Sequence, residues 1–367
     1  MTITLFQYQG SPARVVFGHG TLGQLGEEAD RLALKRLLVI STRGPRAHAE
    51  RALNALQGRA AAVFDEAAMH TPVDVTERAL ALALQNRVDG LLAIGGGSAI
   101  GLSKALALRT DLPQIVVPTT YAGSEATPIL GETQDAIKVT QRSEKILPEV
   151  IVYDVDLTLG LPVPISIASG LNAVAHAAEA LYAPDGNPLI SALAEDGVAA
   201  LLGSLPVVFA RPTNAPARSA ALYGAWLCGT CLGAVAMGLH HKLCHALGGT
   251  FGLPHAETHA IILPHVLAYN LPSAPGARRR LSRTLGSRDP ASAIAQLALA
   301  MDVPHALRDI GMPEAGLAQT ADVATQNAYA NPRPVDRDAL LLLLRRAWAG
   351  EPPSAIGAPP MTNGSGS

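Results

Sequence analysis

Six of the eleven histidines fall between residues 240 and 265: His240, His241, His245, His255, His259 and His265. His241 and His245 stand four apart, so a helix places both rings on one face. His255 follows a turn-forming Gly252-Leu253-Pro254. Upstream, Asn172 and His176 repeat the four-residue spacing. A converging His176, His241 and His255 has the composition of a divalent metal site. The competing reading is a histidine-rich helix interface held by hydrogen bonds. Two other patterns fall short of metal or redox chemistry. His255-Ala256-Glu257-Thr258-His259 is not H-E-x-x-H, because its glutamate is displaced by one residue. Cys228-Gly229-Thr230-Cys231 sits in an apolar run and reads as two small core residues.

A second chemistry is phosphate binding. Gly95-Gly96-Gly97-Ser98 follows the strand-like Leu91-Leu92-Ala93-Ile94 and opens a helical pattern. Glycines there let backbone approach a pyrophosphate, and the free N–H groups and positive end of the helix attract it. Pro118-Thr119-Thr120-Tyr121-Ala122-Gly123-Ser124-Glu125 follows the next strand-like run, where open α/β sheets bind ligands. Gly18-His19-Gly20-Thr21-Leu22-Gly23 also matches G-x-G-x-x-G. About 20 residues on, however, stands Ser41-Thr42-Arg43 rather than the acidic residue of a dinucleotide fingerprint. A hairpin-to-helix turn explains those glycines equally well.

The elements that must hold these residues change character near residue 158. Before it, strand patterns at 3–8, 14–17, 36–41, 61–64, 89–94, 114–117 and 150–153 alternate with helical ones at 22–34, 46–56, 75–85 and 99–108. That alternation predicts a dinucleotide-binding α/β domain over 1–157, a parallel sheet with helices on both faces. Beyond it, Ala- and Leu-rich helical runs at 167–182, 189–209, 218–240, 258–269, 291–301 and 334–348 predict an all-helical domain over 158–350. The Pro/Gly/Ser-rich 351–367 reads as a flexible tail. The uncharged run 219–241 is long enough for a bilayer and holds Gly229-x-x-x-Gly233, yet its Ala/Gly content reads as a core helix. Apolar residues make up 49% and charged ones 16%, which excludes global disorder. A net charge of -2 argues against nucleic-acid or polybasic membrane binding. Three clustered cysteines and no signal-peptide pattern point to the cytoplasm.

Several of these motifs together resemble the iron-containing alcohol dehydrogenase superfamily, from about residue 12 to 350. They are Gly95-Gly96-Gly97-Ser98, Pro118-Thr119-Thr120, the run from Ser169-Gly170-Leu171-Asn172 through His176 to Ala180, Leu253-Pro254-His255 and Leu263-Pro264-His265. Within it the chain is most similar to the maleylacetate reductase branch. The carriers are Tyr121-Ala122-Gly123-Ser124-Glu125, Leu239-His240-His241-Lys242-Leu243-Cys244-His245, the 254–259 run and Tyr329-Ala330-Asn331-Pro332-Arg333-Pro334. The resemblance implies reduction of the maleylacetate double bond to 3-oxoadipate with NADH or NADPH, in bacterial breakdown of aromatic compounds. It assigns cofactor binding to Ser41, Thr42, Gly95, Gly96, Gly97, Ser98, Thr119, Thr120, Tyr121, Ser124 and Lys138. The superfamily holds its metal with an Asp and three His; here the matching positions are Asn172, His176, His241 and His255. With the Asp missing, the expectation is a vestigial site and no tightly bound metal.

Reduction beside a ketone builds negative charge on oxygen, so donors are needed, and the substrate carries two carboxylates. His245 and His255 lead for the acid role, with Tyr329 as a further donor. Lys242 and, more weakly, Arg333 are candidates for a carboxylate, beside Asn172, His176 and His241 in the substrate pocket. Thr42 offers no carboxylate to repel a 2′-phosphate, and Arg43 or Arg46 would attract one. A small dicarboxylate substrate and a homodimer are the expected partners. The runner-up is a metal-dependent alcohol dehydrogenase of the same superfamily. A non-catalytic metal- or nucleotide-binding protein is the alternative from another class.

Overall fold

Strands covered on both faces are apolar at successive positions rather than at alternate ones. The computed structural model describes residues 6, 8–10, 13–44, 46–134 and 137–355. Its first part runs β1 (Arg14–Gly18), α1 (Leu25–Arg31), β2 (Leu37–Ile40), α2 (Arg46–Ala55), β3 (Ala60–Phe64), α3 (Val73–Gln85), β4 (Gly90–Gly95), α4 (Gly97–Thr110) and β5 (Gln114–Pro118). It continues through β6 (Ile129–Gln134), β7 (Ile137–Arg142) and β8 (Val150–Asp154). Every residue of β2, β5 and β8 is buried, as the continuous apolar runs require. The main sheet is parallel throughout, in the order β1-β8-β5-β4-β2-β3. Its core includes Leu37, Val39, Leu92, Ile94, Ile115, Val117, Val150 and Val152. The expected strand at 3–8 lies mostly outside the described residues, as does the tail from residue 356.

The sequence reading missed the antiparallel hairpin β6–β7, whose polar ILGETQ and IKVTQR strands pair Ile129 with Arg142 and Gln134 with Ile137. After β8 every described regular element is helical. Three long helices follow, α5 (Val163–Ala180), α6 (Pro188–Ala210) and α7 (Ala215–Ala234). Although the strands end at Asp154, the compact units divide later, between Met237 and Gly238. Arg218 of α7, fully buried, shows why these helices stay with the sheet. Its guanidinium donates to Tyr121 Oη (3.1 Å) after β5, Ser166 Oγ (2.6 Å) on α5, and Leu161 O (2.8 Å).

The uncharged run at 219–241 is not one helix. α7 stops at Ala234 and the next helix, α8, runs Leu239–Phe251, so four non-helical residues interrupt the run. The break is satisfied from a distance: Arg142 donates to Gly233 O, and Ala236 N donates to the Asp185 carboxylate. Gly229 and Gly233 do mark a close approach, though to the loop after β5. A Cβ on Gly229 would lie 2.7 Å from Gly123 Cα, and one on Gly233 2.7 Å from Ala126 O. Among the described residues α6 alone is a single helix long and apolar enough to cross a membrane. It packs on α5 and α7, and its Asp196 accepts a 2.7 Å hydrogen bond from Tyr223.

The second unit continues with α9 (His255–Asn270), α10 (Pro275–Leu285), α11 (Pro290–Ala300), α12 (Gly316–Thr325) and α13 (Arg337–Ala349). Leu243, Leu247, Ile262, Val266, Leu340 and Leu344 interlock at its centre, with Leu307 and Leu317. The Arg278-Arg279-Arg280 run lies in the first half of α10, on a mainly exposed surface.

Candidate active site

In an open α/β sheet, ligands bind where the strand order reverses. Here β3 lies on one side of β2, and β4 and β5 lie on the other. The carboxyl ends of β2, β4 and β5 therefore adjoin, bringing Ser41, Thr42, Gly95, Gly96, Gly97, Ser98, Thr119 and Thr120 to one edge. Gly96 is the N-cap of α4 and no side chain caps that terminus. A Cβ on Gly96 would lie 3.0 Å from Thr120 Cγ2, whereas beside Gly97 the space is open. The glycines thus leave backbone N–H groups bare toward the edge, as a pyrophosphate requires. At the Gly18–Gly23 turn, the other G-x-G-x-x-G match, such groups are taken. Gly20 N and Leu22 N donate to the Asp154 carboxylate at 3.1 and 3.0 Å.

Other expected cofactor residues are placed differently. Tyr121 is fully buried with its hydroxyl on Arg218, so its side chain braces the loop from inside. Arg43 pairs with Glu66, whose carboxyl is held low by hydrogen bonds from Arg43 and Arg78. Lys138 stands on β7 opposite Thr133, and its side chain lies outside the described structure, as does that of Arg46.

The loop from Tyr121 to Pro128 is held from below by a residue outside every sequence motif. Lys104, buried on α4, donates to Ser124 O (2.6 Å), Thr127 O (2.7 Å), Thr127 Oγ1 (3.0 Å) and Ile129 O (3.0 Å). Burial pulls its ammonium down to about 7, against the opposing pull of Glu125. Burial also raises the Glu125 carboxyl, which accepts from Tyr153 Oη at 2.9 Å. A lone lysine inside the Ala/Leu-rich run after Ser98 was the available signal. Beside this loop, on α5, stand Asn172 and His176, 2% and 3% exposed. His176 Nε2 donates to Ala122 O at 3.2 Å. The Asn172 amide oxygen is buried with no hydrogen-bond partner.

The second unit gathers the remaining candidates on two helix ends. α8 starts after Gly238 and α9 starts at His255 behind Pro254, so His241, Lys242, His245 and His255 all sit in first or second turns. His245 and His255 are exposed and His241 is buried. The His241 and His245 rings lie 6.2 Å apart, and those of His255 and His259 4.2 Å apart. Lys242 Nζ stands 5.9 Å from the Tyr329 ring centre. The segment bearing Tyr329 is bolted to the end of α9. Asn270 and Asn331 exchange amide hydrogen bonds of 2.9 and 2.8 Å, and Tyr269 Oη donates to Pro334 O at 2.7 Å. Arg333 is 4% exposed and stacks 4.0 Å over the Tyr269 ring, a bracing position rather than an outward-facing one. His240 and His259, left without a role by the sequence reading, are fully buried between these helices.

A sequence profile described as iron-containing alcohol dehydrogenase matches residues 12–155, and the C-terminal profile of that family matches residues 166–348. The chain is 51% identical to the maleylacetate reductase of Sphingobium indicum over 348 residues, covering 95% of this chain and 99% of that protein. The crystal structure of maleylacetate reductase from Agrobacterium tumefaciens superposes with a TM-score of 0.92 at 50% identity, over 96% of this chain and all of that one. An iron-containing alcohol dehydrogenase from Corynebacterium glutamicum is 40% identical with a TM-score of 0.89, covering 97% and 99%.

Proposed function

The chain belongs to the iron-containing alcohol dehydrogenase family, and from that premise we propose that it reduces the carbon–carbon double bond of maleylacetate to 3-oxoadipate with NADH or NADPH. The observation that carries this reading is 51% identity to a maleylacetate reductase across nearly the whole of both chains. The nicotinamide, when bound, supplies the hydride to the carbon β to the ketone. The uncapped, glycine-lined start of α4 fits its pyrophosphate. Charge then grows on the ketone oxygen, and His245, His255 and Tyr329 are the donors available to stabilise it or to protonate the α carbon. Lys242 holds one substrate carboxylate, its ammonium kept near Tyr329. The test is NAD(P)H consumption with maleylacetate as acceptor. Turnover of an aldehyde in its place supports the alcohol dehydrogenase reading, and turnover of neither supports the binding-protein reading.

Lys242→Met is expected to raise KM for maleylacetate by about ten- to a hundredfold, the worth of a hydrogen bond to a charged group. KM for the nicotinamide should stay near its wild-type value. Steady-state kinetics varying each substrate decides it: an unchanged KM for maleylacetate removes Lys242 from the substrate site.

The family's iron fits these residues poorly. Asn172 brings a neutral amide oxygen where a hard cation is best met by a carboxylate. His176 Nε2 stands 3.2 Å from Ala122 O, a contact that a metal at that nitrogen would have to displace. Maleylacetate reduction is therefore expected to persist after prolonged chelation. Asn172→Asp should strengthen metal binding without speeding the reaction. Loss of activity on metal removal, with recovery on its return, would refute this.

A further inference from the structure

Behind the candidate site lies a second group of donors. His240 and Cys244 are four apart on α8 and share a face, and His259 meets them from α9. His240 Nε2 lies 3.0 Å from His259 Nδ1 and 3.7 Å from Cys244 Sγ, and the three donor atoms all fall within 4.8 Å of one another. With Zn–N of about 2.0–2.1 Å and Zn–S of about 2.3 Å, donors around a tetrahedral ion stand roughly 3.3–3.7 Å apart. His240 already stands within a few tenths of an ångström of that spacing from both partners, and the Cys244–His259 pair, within 4.8 Å, closes the triangle by at most about an ångström.

We propose that His240, Cys244 and His259 form a binding site for one thiophilic divalent cation, zinc in class, that ties α8 to α9. The donor set is soft, one thiolate and two imidazoles, which selects zinc or cobalt over magnesium, calcium or ferrous iron. On binding, the Cys244 thiol gives its proton to solvent and the sulfur pair becomes the bond to the metal. The two imidazoles bind as neutral ligands, giving the ion three protein donors. All three side chains are at most 2% exposed, so the ion is shielded from competing solvent. The site shares no residue with the Asn172, His176, His241 and His255 positions. It lies against the last two of these, since the His259 ring is 4.2 Å from that of His255 and 5.2 Å from that of His241. The metal holds the two helices that carry Lys242, His245 and His255 and takes no part in the reduction, so this inference is independent of the substrate proposed above.

The test uses the purified full chain, stripped by chelation and titrated with cobalt(II) and then zinc(II). The expected result is one cobalt per chain with a thiolate-to-metal charge-transfer band in the near ultraviolet, displaced by zinc. Zinc at about a hundred times its dissociation constant should raise Tm by several degrees. Cys244→Ser should abolish the band, and His259→Gln should weaken binding at least tenfold. His176→Ala should leave both readouts intact. The wild-type spectrum is diagnostic by itself should a variant fail to fold. Absence of the band in the wild-type chain, or its survival in Cys244→Ser, overturns the proposal. So does metal binding lost in His176→Ala and kept in Cys244→Ser, which would return the ion to the family's own positions.

Discussion

Gly229→Val is expected to cost about 3 kcal/mol of stability, the upper end of overpacking against atoms that cannot yield, and to raise KM for the nicotinamide about tenfold. Even the first carbon of a side chain at 229 would overlap the carbonyl oxygen of Gly123 and lie 2.7 Å from its Cα. The obstacle is backbone, so no rotamer change relieves it. Gly123 is itself in the left-handed region at φ +78°, and a Cβ there would lie 2.9 Å from Gly229 Cα. Loop and helix therefore meet glycine on glycine, and any substituent must push apart α7 and the turn that follows Thr119 and Thr120. Urea unfolding together with cofactor kinetics measures both effects. Wild-type values in both would show that the contact is slack.

Lys104→Met is the second large effect, a loss of about 3 kcal/mol at neutral pH. One charged hydrogen-bond donor disappears and the carbonyls of Ser124, Thr127 and Ile129 are left buried without it. Its pH dependence has a definite sign. The ammonium titrates at about 7 in the folded chain, against about 10.4 in the unfolded one. Between those values the unfolded chain binds one more proton, so the lysine's contribution to stability rises with pH, at about 1.4 kcal/mol per unit. Methionine lacks this dependence. The gap between wild type and variant should thus widen by about 2 kcal/mol from pH 7 to pH 9. Unfolding free energies at the two pH values check it, and an unchanged gap would mean that Lys104 stays charged throughout.

The strands of the main sheet were legible because parallel strands buried on both faces are apolar without interruption, as in Leu37–Ile40 and Gln114–Pro118. The uncapped start of α4 was legible because three successive glycines after a strand have few other uses. The hairpin Ile129–Gln134 with Ile137–Arg142 was not, since its half-exposed strands alternate with polar residues that read as loop. The end of α7 was hidden for a different reason. Nothing local in Ala234-Val235-Ala236-Met237 stops a helix; the break is stabilised by Arg142 and Asp185, 91 and 51 residues away in sequence. The same holds for the docking of α7 within the first unit, where Arg218 reaches Tyr121, Ser166 and Leu161, 97, 52 and 57 residues away. Sequence spacing singled out His241, His245 and His255. It could not show that His240 and His259 would face each other, because that contact is made between helices.

The pairing of β1 with β8 joins the first strand of the sheet to the last, Arg14 to Val150 and Gly18 to Asp154. A ribosome releases these partners far apart in time. β1 emerges first and has no neighbour in the sheet until residue 154 is free of the exit tunnel. By then β2, β3, β4 and β5 have all been made, and β8 is the missing strand that pairs with both β5 and β1. The sheet therefore closes late, through a contact of the long-range kind that makes folding slow. The Asp154 carboxylate that receives Gly20 N and Leu22 N arrives on that same strand, so the turn after β1 locks only when the edge does.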